Sequence, residues 1–267
     1  MPDAPNTSLS CVTRNSIEAL RTSGFFVICD NTLRGALSTA EYGAYVARVL
    51  AYRDKMRIFF ELPLRDREAF TAIPEKDEQT HVFPCGYWPP SVYVDKHEGV
   101  DFHVEYYFSR EHSLANVLDM CRPSQFDDCF KSGHIPLMPH AEAYWLGGTI
   151  NSLVFNPLAQ RLHEVCAVSI PAIAFQMSAV YYRRAGLLSP HRDKSFFTLL
   201  IGPLQGLNVD SYTHNKTIEV RLGIGEILVY TGFAFQETVP DAEIAPILHS
   251  VNAYEGRLTS AVNSFPC

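Results

Sequence analysis

Residues 191–210 read HRDKSFFTLLIGPLQGLNVD, where a histidine and an aspartate two positions apart precede an apolar run and a turn. The chain has 10 histidines in 267 residues, and chance alone would supply about half of one His-x-Asp triplet in such a sequence. Two His-x-Glu pairs, His103 with Glu105 and His140 with Glu142, carry donor atoms of the same kind. The surrounding sequence therefore has to decide which pair, if any, binds a metal ion.

The quoted stretch belongs to a C-terminal region with the composition of a β-sheet protein. After Pro171 the sequence breaks into short runs rich in β-branched and aromatic residues, which Gly, Pro, Asn or Asp separate. About seven runs at this spacing predict the strands of a sandwich or jelly roll. The runs are FQMSAVYY, SFFTLLI, GLNVD, TIEVRL, EILVYTG, ILHSVNAY and RLTSAVNSF.

The N-terminal part of the chain carries helix signals. Asn15 and Glu18 are spaced as in a capping box, and Gly24 is placed to end that helix before the strand FFVICD. Ser38 and Glu41 repeat the capping pattern, and apolar residues at helical spacing follow them. We therefore predict a short helix, a strand and a long amphipathic helix in this part.

The chain shows no internal repeat, low-complexity tract or linker. Between about residues 71 and 139 prolines punctuate aromatic clusters, and irregular structure is expected there. We expect a single domain over 1–267 of the α+β class. A helical and mixed region over about 1–170 would pack against a β-core over about 171–267.

Composition and charge narrow the classes of partner and compartment. The net charge of −7 and the isoelectric point near 5.8 provide no broad basic surface for nucleic acid or anionic membrane. The seven cysteines are scattered without a C-x-x-C pair, as expected of reduced thiols. No signal peptide and no apolar run of membrane-spanning length occurs. We expect a soluble cytoplasmic protein.

A candidate metal site comes from three residues of the β-region. His191 and Asp193 would face the same side if the backbone there is extended, because strand residues two apart share a face. His249 lies in the predicted strand ILHSVNAY and can be adjacent to them in an antiparallel fold. Two imidazoles and one carboxylate suit non-haem Fe(II) and leave coordination positions open.

A candidate carboxylate site comes from the last predicted strand. Arg257 and Thr259 are also two apart, so a guanidinium and a hydroxyl would point into the same cavity. Arginine can donate two parallel hydrogen bonds to a carboxylate, and the hydroxyl can donate a third. Tyr182, near the end of an earlier predicted strand, can add another donor.

Taken together, these motifs resemble the Fe(II)/2-oxoglutarate-dependent dioxygenases of the isopenicillin-N-synthase-like group. The similarity covers most of the chain and is strongest over 175–265. The residues that carry it are His191-Arg-Asp193 with the TLL run after it, Gly206-Leu-Asn-Val, His249, Arg257-Leu-Thr259, and upstream GFFVICD, FFELP, Cys85-Gly86-Tyr87 and VDFHVEYYF. The joint pattern is specific, although no single piece of it is.

The resemblance implies a fold, a set of cofactors and a reaction. The fold is a double-stranded β-helix (jelly-roll) core with N-terminal and flanking helices. Fe(II) would lie on the two histidines and the aspartate, and 2-oxoglutarate would chelate it while Arg257, Thr259 and Tyr182 hold the far carboxylate. Dioxygen is the co-oxidant, and succinate and carbon dioxide are the coproducts. Because Asp193 occupies a position that a halide would need, hydroxylation, desaturation or ring formation is favoured over halogenation.

The substrate is the least defined part of this interpretation. The resemblance implies a small molecule, such as an amino acid derivative or a natural-product intermediate. Arg183 and Arg192 are candidates for binding an anionic substrate, and Tyr87 for lining the cavity mouth. Several positions depart from the family pattern: Thr259 replaces the usual serine, Arg183 a proline, and Phe102 a frequent tryptophan. These departures weaken inferences about the substrate and preserve the metal ligands.

Two other functions stay open at this point. One is an iron oxidase of the isopenicillin N synthase type that uses no 2-oxoglutarate, in which Arg257 and Thr259 would bind a substrate carboxylate. The other is a non-catalytic jelly-roll protein that binds a carboxylated ligand. The two His-x-Glu pairs lack a following strand run and a downstream histidine with an arginine partner, so surface or structural roles are expected for them.

Overall fold

Helices and two antiparallel sheets make up the part of the chain that the computed structural model describes, which is residues 10–68, 86–88, 97–104, 140–171, 173–211 and 216–266. The helices are α1 Arg14–Ser23, α2 Asp30–Ala36, α3 Thr39–Glu61, α4 Leu64–Glu68, α5 His140–Ile150, α6 Asn156–Cys166 and α7 Phe233–Thr238. The strands are β1 Phe25–Ile28, β2 Gly86–Trp88, β3 His97–Val104, β4 Ile173–Tyr182, β5 Gly186–His191, β6 Phe197–Ile201, β7 Leu204–Ser211, β8 Lys216–Leu222, β9 Ile227–Thr231, β10 His249–Ala253 and β11 Arg257–Pro266. The predicted mixture of helices and strands is confirmed.

The strands form a seven-stranded major sheet and a four-stranded minor sheet. The major sheet has the order β1-β9-β6-β11-β4-β3-β2, and the minor sheet has the order β5-β10-β7-β8. From β4 onward the chain alternates between the two sheets, except that β7 and β8 are neighbours in the minor sheet. This order brings β10 beside β5 and β11 beside β4, although these strands are far apart in sequence.

Two apolar layers hold these elements together. One layer lies between the sheets, where Leu200 and Leu228 of the major sheet meet Leu207 and Val251 of the minor sheet. The other layer joins the major sheet to the helices. Strands β6 and β9 are buried at every position because each contributes to both layers, which explains sequences that are apolar or aromatic except at Thr198 and Thr231.

The helix boundaries follow local capping chemistry. The long helix α3 begins as predicted, since the Ser38 hydroxyl accepts from the Glu41 amide at 3.3 Å and the Glu41 carboxylate accepts from the Ser38 amide at 2.8 Å. Helix α1 ends as predicted at Gly24, whose φ of 83° lies in the left-handed region. Its predicted start at Asn15 is wrong, because Thr13 is the N-cap.

Three strands of the structure, β2, β3 and β5, are absent from the strands predicted from the sequence. Strand β5 was not predicted, because GLLSPH is short and contains Pro190, which is tolerated at the edge position that β5 occupies. Strands β2 and β3 lie in the region predicted to be irregular, and they extend the major sheet beyond β4. The rest of that region lies outside the described residues.

The predictions on thiols and membrane spans can be checked for part of the chain. Cys11, Cys29 and Cys166 are free thiols, and the other four cysteines lie outside the described residues. In the parts of the chain given above, we find no helix with the length and apolar character needed to cross a membrane.

Candidate metal and carboxylate site

The structure brings His191, Asp193 and His249 together at one edge of the space between the sheets. His191 ends β5 and His249 begins β10, and the two residues are directly opposite each other in the antiparallel register. The Nε2 atom of each imidazole lies 3.6 Å from Oδ1 of Asp193. Ligand bonds of about 2.1 Å at angles of 90–120° would separate donor atoms by about 3.0–3.6 Å, so these distances fit one metal ion.

The site is enclosed on one side and open on the other. His249 is 5% exposed, whereas the His191 and Asp193 side chains are 38% and 21% exposed. Among the described residues, this is the only group of three His, Cys, Asp or Glu residues with donor atoms close enough to share a metal ion. An ion held there would have coordination positions facing the open side.

Both imidazoles direct Nε2 toward the site. Nδ1 of His191 lies 2.9 Å from the carbonyl oxygen of Ser189, and because a carbonyl can only accept, Nδ1 carries the proton and leaves Nε2 free. Burial lowers the pKa of His249, and the opposing charge of Asp193 only partly offsets this effect. The imidazole of His249 is therefore uncharged at neutral pH and available as a ligand.

Asp193 is not on a strand, so the predicted strand contains only the first of these two ligands. Strand β5 ends at His191, and Asp193 lies in the following loop. Its orientation comes from hydrogen bonds to Oδ2, which accepts from the Thr198 hydroxyl at 2.7 Å and the Tyr230 hydroxyl at 2.8 Å. Sequence reasoning missed both residues, and they leave Oδ1 facing the imidazoles.

The backbone of the Asp193 loop is fixed by the segment that follows β9. The Phe233 amide donates to the Asp193 carbonyl at 2.9 Å, and the Gly232 amide donates to the Phe196 carbonyl at 3.2 Å. A Cβ atom on Gly232 would lie 2.2 Å from the Ser195 carbonyl oxygen and 2.8 Å from that of Asp193. Only glycine allows this approach of the two backbones.

We expect Gly232→Ala to displace the Asp193 loop, because the added methyl group overlaps backbone atoms that cannot move independently. The free energy of unfolding should fall by about 1–3 kcal/mol, and metal affinity should fall with it. Denaturant unfolding and Mn²⁺ binding measure the two effects. The matched control is Gly43→Ala on α3, where nothing lies within 4 Å of the added Cβ. That control should gain about 0.5–1 kcal/mol of stability, and a stable Gly232→Ala protein with unchanged metal affinity would contradict the prediction.

The carboxylate site is built around Arg257, which is 2% exposed. Its Nε donates to the Gln205 carbonyl at 3.0 Å, and Nη1 donates to the Thr259 hydroxyl at 2.6 Å. Its Nη2 is buried and makes no hydrogen bond of ordinary geometry within the described residues, although the Tyr182 phenol lies near enough to raise the pKa of the guanidinium. A buried cation with a spare donor is costly without an anion, so this arrangement suits a carboxylate ligand.

Tyr182 links the two candidate sites. It pairs with Arg257 across β4 and β11, and the guanidinium carbon lies 5.1 Å from the centroid of its ring. Burial raises the pKa of Tyr182, Arg257 lowers it, and the charge of Asp193 raises it. The phenol is therefore protonated at neutral pH and lies within electrostatic range of both the arginine and the metal-site carboxylate.

The three substrate candidates are not brought together. Arg183 donates to the Phe60 carbonyl, and its guanidinium lies 5.6 Å from the ring centroid of Tyr181, so it is directed to the helix layer. Tyr87 is fully buried in the same layer, 5.7 Å from the ring of Phe59. The contacts of these two residues are thus with the helix layer and not with the triad, and their contact with substrate stays a prediction. Arg192 lies beside the triad, where its Nε donates to the Pro246 carbonyl at 3.1 Å.

The alternative His-x-Glu pairs lie only partly within the described residues. His103 belongs to β3, and Glu105 lies outside the described residues. His140 and Glu142 belong to the first turn of α5. The expectation of surface or structural roles for both pairs stays a prediction.

The fold is similar to those of several solved protein structures. No family model matches the sequence, and no curated protein matches it. The dioxygenase for auxin oxidation (DAO) in rice has a TM-score of 0.61 at 16% identity over 94% of this chain and 76% of its own. JOX2 in complex with 2OG, Fe and JA has a TM-score of 0.60 at 19% identity, over 93% and 69%. Full-length Neurospora crassa T7H in complex with alpha-KG and 5-formyluracil has a TM-score of 0.57 at 15% identity, over 95% and 77%. At these identities the likeness shows a shared fold.

Proposed function

We propose that this chain is a non-haem Fe(II)- and 2-oxoglutarate-dependent dioxygenase that hydroxylates a small molecule and releases succinate and carbon dioxide. The observation that carries the proposal is the convergence of His191, Asp193 and His249 at 3.6 Å spacing, on the fold of proteins solved with iron and 2-oxoglutarate. The buried guanidinium of Arg257, with a spare donor, supports a carboxylated cosubstrate.

We propose further that β4 to β11 form the double-stranded β-helix predicted from the sequence. Two sets of four strands support this proposal, β9-β6-β11-β4 in the major sheet and β5-β10-β7-β8 in the minor sheet. Neighbouring strands within each set, such as β10 with β5 and β6 with β9, are antiparallel although they are distant in sequence. Strand β1 adds to the same major sheet by pairing with β9, which supports one domain in which the region over about 1–170 is continuous with the core over about 171–267.

Different residues of the site would bind the metal ion and the cosubstrate. His191, Asp193 and His249 would hold Fe(II), which supplies the activation of dioxygen and the oxidative decarboxylation of 2-oxoglutarate. Arg257 would bind the far carboxylate of 2-oxoglutarate through Nη2, while its bonds to Gln205 and Thr259 keep the guanidinium in place. The apolar layer between the sheets excludes water around this charge pair and strengthens it.

The substrate class is the least constrained part of the proposal. T7H was solved with 5-formyluracil and JOX2 with JA, which supports a small molecule for this chain as well. An amino acid derivative or a natural-product intermediate is the class that we propose. Arg192, an exposed residue between His191 and Asp193 in the sequence, is the remaining candidate from the sequence for contact with an anionic substrate.

Anaerobic titration tests the proposal directly. Addition of Fe(II) and then 2-oxoglutarate should produce the visible charge-transfer absorption of a 2-oxo acid chelated to Fe(II). Admission of oxygen should then release succinate, faster when a screened small molecule is accepted as substrate. Failure to bind Fe(II) would refute an iron enzyme. Iron binding without 2-oxoglutarate binding would instead favour the iron oxidase in which Arg257 holds a substrate carboxylate, and 2-oxoglutarate binding without turnover of any kind would favour a non-catalytic carboxylate-binding protein.

A further inference from the structure

The three candidate ligands are held in place in different ways. His191 and His249 belong to paired strands, so the backbone hydrogen bonds of β5 and β10 fix their positions. Asp193 lies outside any strand, and its side chain has two oxygens that can both reach a metal ion. Something other than strand pairing has to select one oxygen.

A buried group of hydroxyls surrounds the second oxygen of Asp193. Tyr230 on β9 and Thr198 on β6 are directly opposite each other in the register, and both reach Oδ2, at 2.8 Å and 2.7 Å. The Thr198 hydroxyl also lies 2.6 Å from the Ser195 hydroxyl and 3.3 Å from the Asn263 side-chain oxygen. All of these side chains except Asn263 and Asp193 are nearly inaccessible to solvent.

Proton counting fixes the direction of these bonds. The Thr198 hydroxyl has one proton and two acceptors, Oδ2 of Asp193 at 2.7 Å and the Asn263 side-chain oxygen at 3.3 Å, and the shorter bond to the charged acceptor takes the proton. Ser195 must then donate to Thr198, and the chain of donors runs from Ser195 through Thr198 to Oδ2. With the phenol of Tyr230 as a second donor, Oδ2 accepts two O–H groups and Oδ1 is left facing the two imidazoles.

Tyr230 also contacts a second candidate ligand. Its ring centroid lies 5.2 Å from that of His249, so one side chain packs against the imidazole and bonds to the carboxylate. The removal of its hydroxyl would leave the ring contact in place. The two roles can therefore be separated by a single substitution.

We propose that Tyr230 and Thr198 are positioning residues that hold Asp193 as a one-oxygen metal ligand and keep Oδ2 out of the coordination positions needed by cosubstrate and substrate. This inference rests on the proposed iron site and adds two residues to it. A purely structural role would affect the stability of the fold, whereas a positioning role affects metal affinity and the coordination number of the bound ion.

Tyr230→Phe tests the inference with little change in volume. We expect Fe(II) affinity to fall about 10- to 100-fold, the range found for residues that orient a metal ligand. The visible absorption of Co²⁺ bound in place of iron should change, because its intensity depends on coordination number. The matched control is Tyr45→Phe, since Tyr45 is equally buried and its hydroxyl donates to the Gly225 carbonyl at 2.7 Å. That control should lose stability without a change in Co²⁺ spectrum or Fe(II) affinity.

Thr198 provides the second variant pair. Thr198→Val removes the hydroxyl and should also weaken Fe(II) binding about 10-fold or more, whereas Thr198→Ser keeps the hydroxyl and should restore it. Unchanged affinity and Co²⁺ spectrum in both Tyr230→Phe and Thr198→Val would overturn the inference while leaving the iron site intact. If the unaltered protein binds neither Fe(II) nor Co²⁺, the proposed function itself fails, and the two failures are thus distinguishable.

Discussion

Replacement of His249 by alanine is expected to abolish Fe(II)-dependent turnover of 2-oxoglutarate and to lower Fe(II) affinity by more than about 100-fold, beyond the range for residues that only orient a ligand. His249 is the buried member of the triad, and its Nε2 lies 3.6 Å from the Asp193 oxygen that faces the metal position. Without it, the remaining pair would form a two-ligand site open to water on both sides.

Thermal unfolding with and without Mn²⁺ measures this loss without relying on activity. A ligand that binds only the folded state stabilises it by about 2.7 kcal/mol at a concentration one hundred times its dissociation constant. The unaltered protein should therefore melt at a higher temperature with Mn²⁺ than with a chelator. His249→Ala should melt at the same temperature in both conditions.

The control for this experiment is His163→Ala. His163 is an exposed histidine on α6 whose Nδ1 lies 3.3 Å from the Val168 carbonyl, and it is not a member of the triad. This variant should keep both turnover and the Mn²⁺-dependent stabilisation. Full retention of either property in His249→Ala would show that His249 is not a ligand.

The metal ligands of the site can be predicted from the sequence, because each lies next to or within a recognisable strand pattern. His191 and Asp193 precede an apolar strand, and His249 lies in another, so their order and context are visible in the sequence. Tyr230 and Thr198 are not visible in the same way. Both lie in strands that are buried on both faces, where every residue looks like core and a hydroxyl carries no spacing signal.

The same distinction holds for the fold. Each of the seven predicted strands has a counterpart in the structure, because turn residues bound each run and β-branched or aromatic residues fill it. Strand β5 was missed because its pairing with β10, and not its own composition, makes GLLSPH a strand. Strand β3 likewise forms by pairing with β4, and β2 by pairing with β3. The pairing of β3 with β4 joins distant parts of the chain, so a local sequence pattern does not predict it.

The second large effect is expected for Arg257→Met, which replaces the buried guanidinium by an apolar chain of similar length. We expect 2-oxoglutarate affinity to fall by about 2–4 kcal/mol, the cost of removing one partner of a buried charge pair. This corresponds to a dissociation constant roughly 30- to 1000-fold higher. Fe(II) affinity should change little, because no triad residue donates to or accepts from Arg257.

The stability of the ligand-free Arg257→Met protein should change little, in contrast to its affinity for 2-oxoglutarate. Burial lowers the pKa of Arg257, because the charged guanidinium loses its hydration in the folded protein. Removing that charge offsets the hydrogen bonds lost to Gln205 and Thr259, so the free energy of unfolding should stay within about 1–2 kcal/mol. An arginine kept only for stability would give the opposite pattern, with a lower melting temperature and unchanged 2-oxoglutarate affinity.

The control variant is Arg221→Met, which removes the same charge on exposed β8, beside Glu219 and outside the site. It should change neither the melting temperature nor the 2-oxoglutarate affinity appreciably. If 2-oxoglutarate binds Arg257→Met as tightly as it binds the unaltered protein, its far carboxylate is held elsewhere.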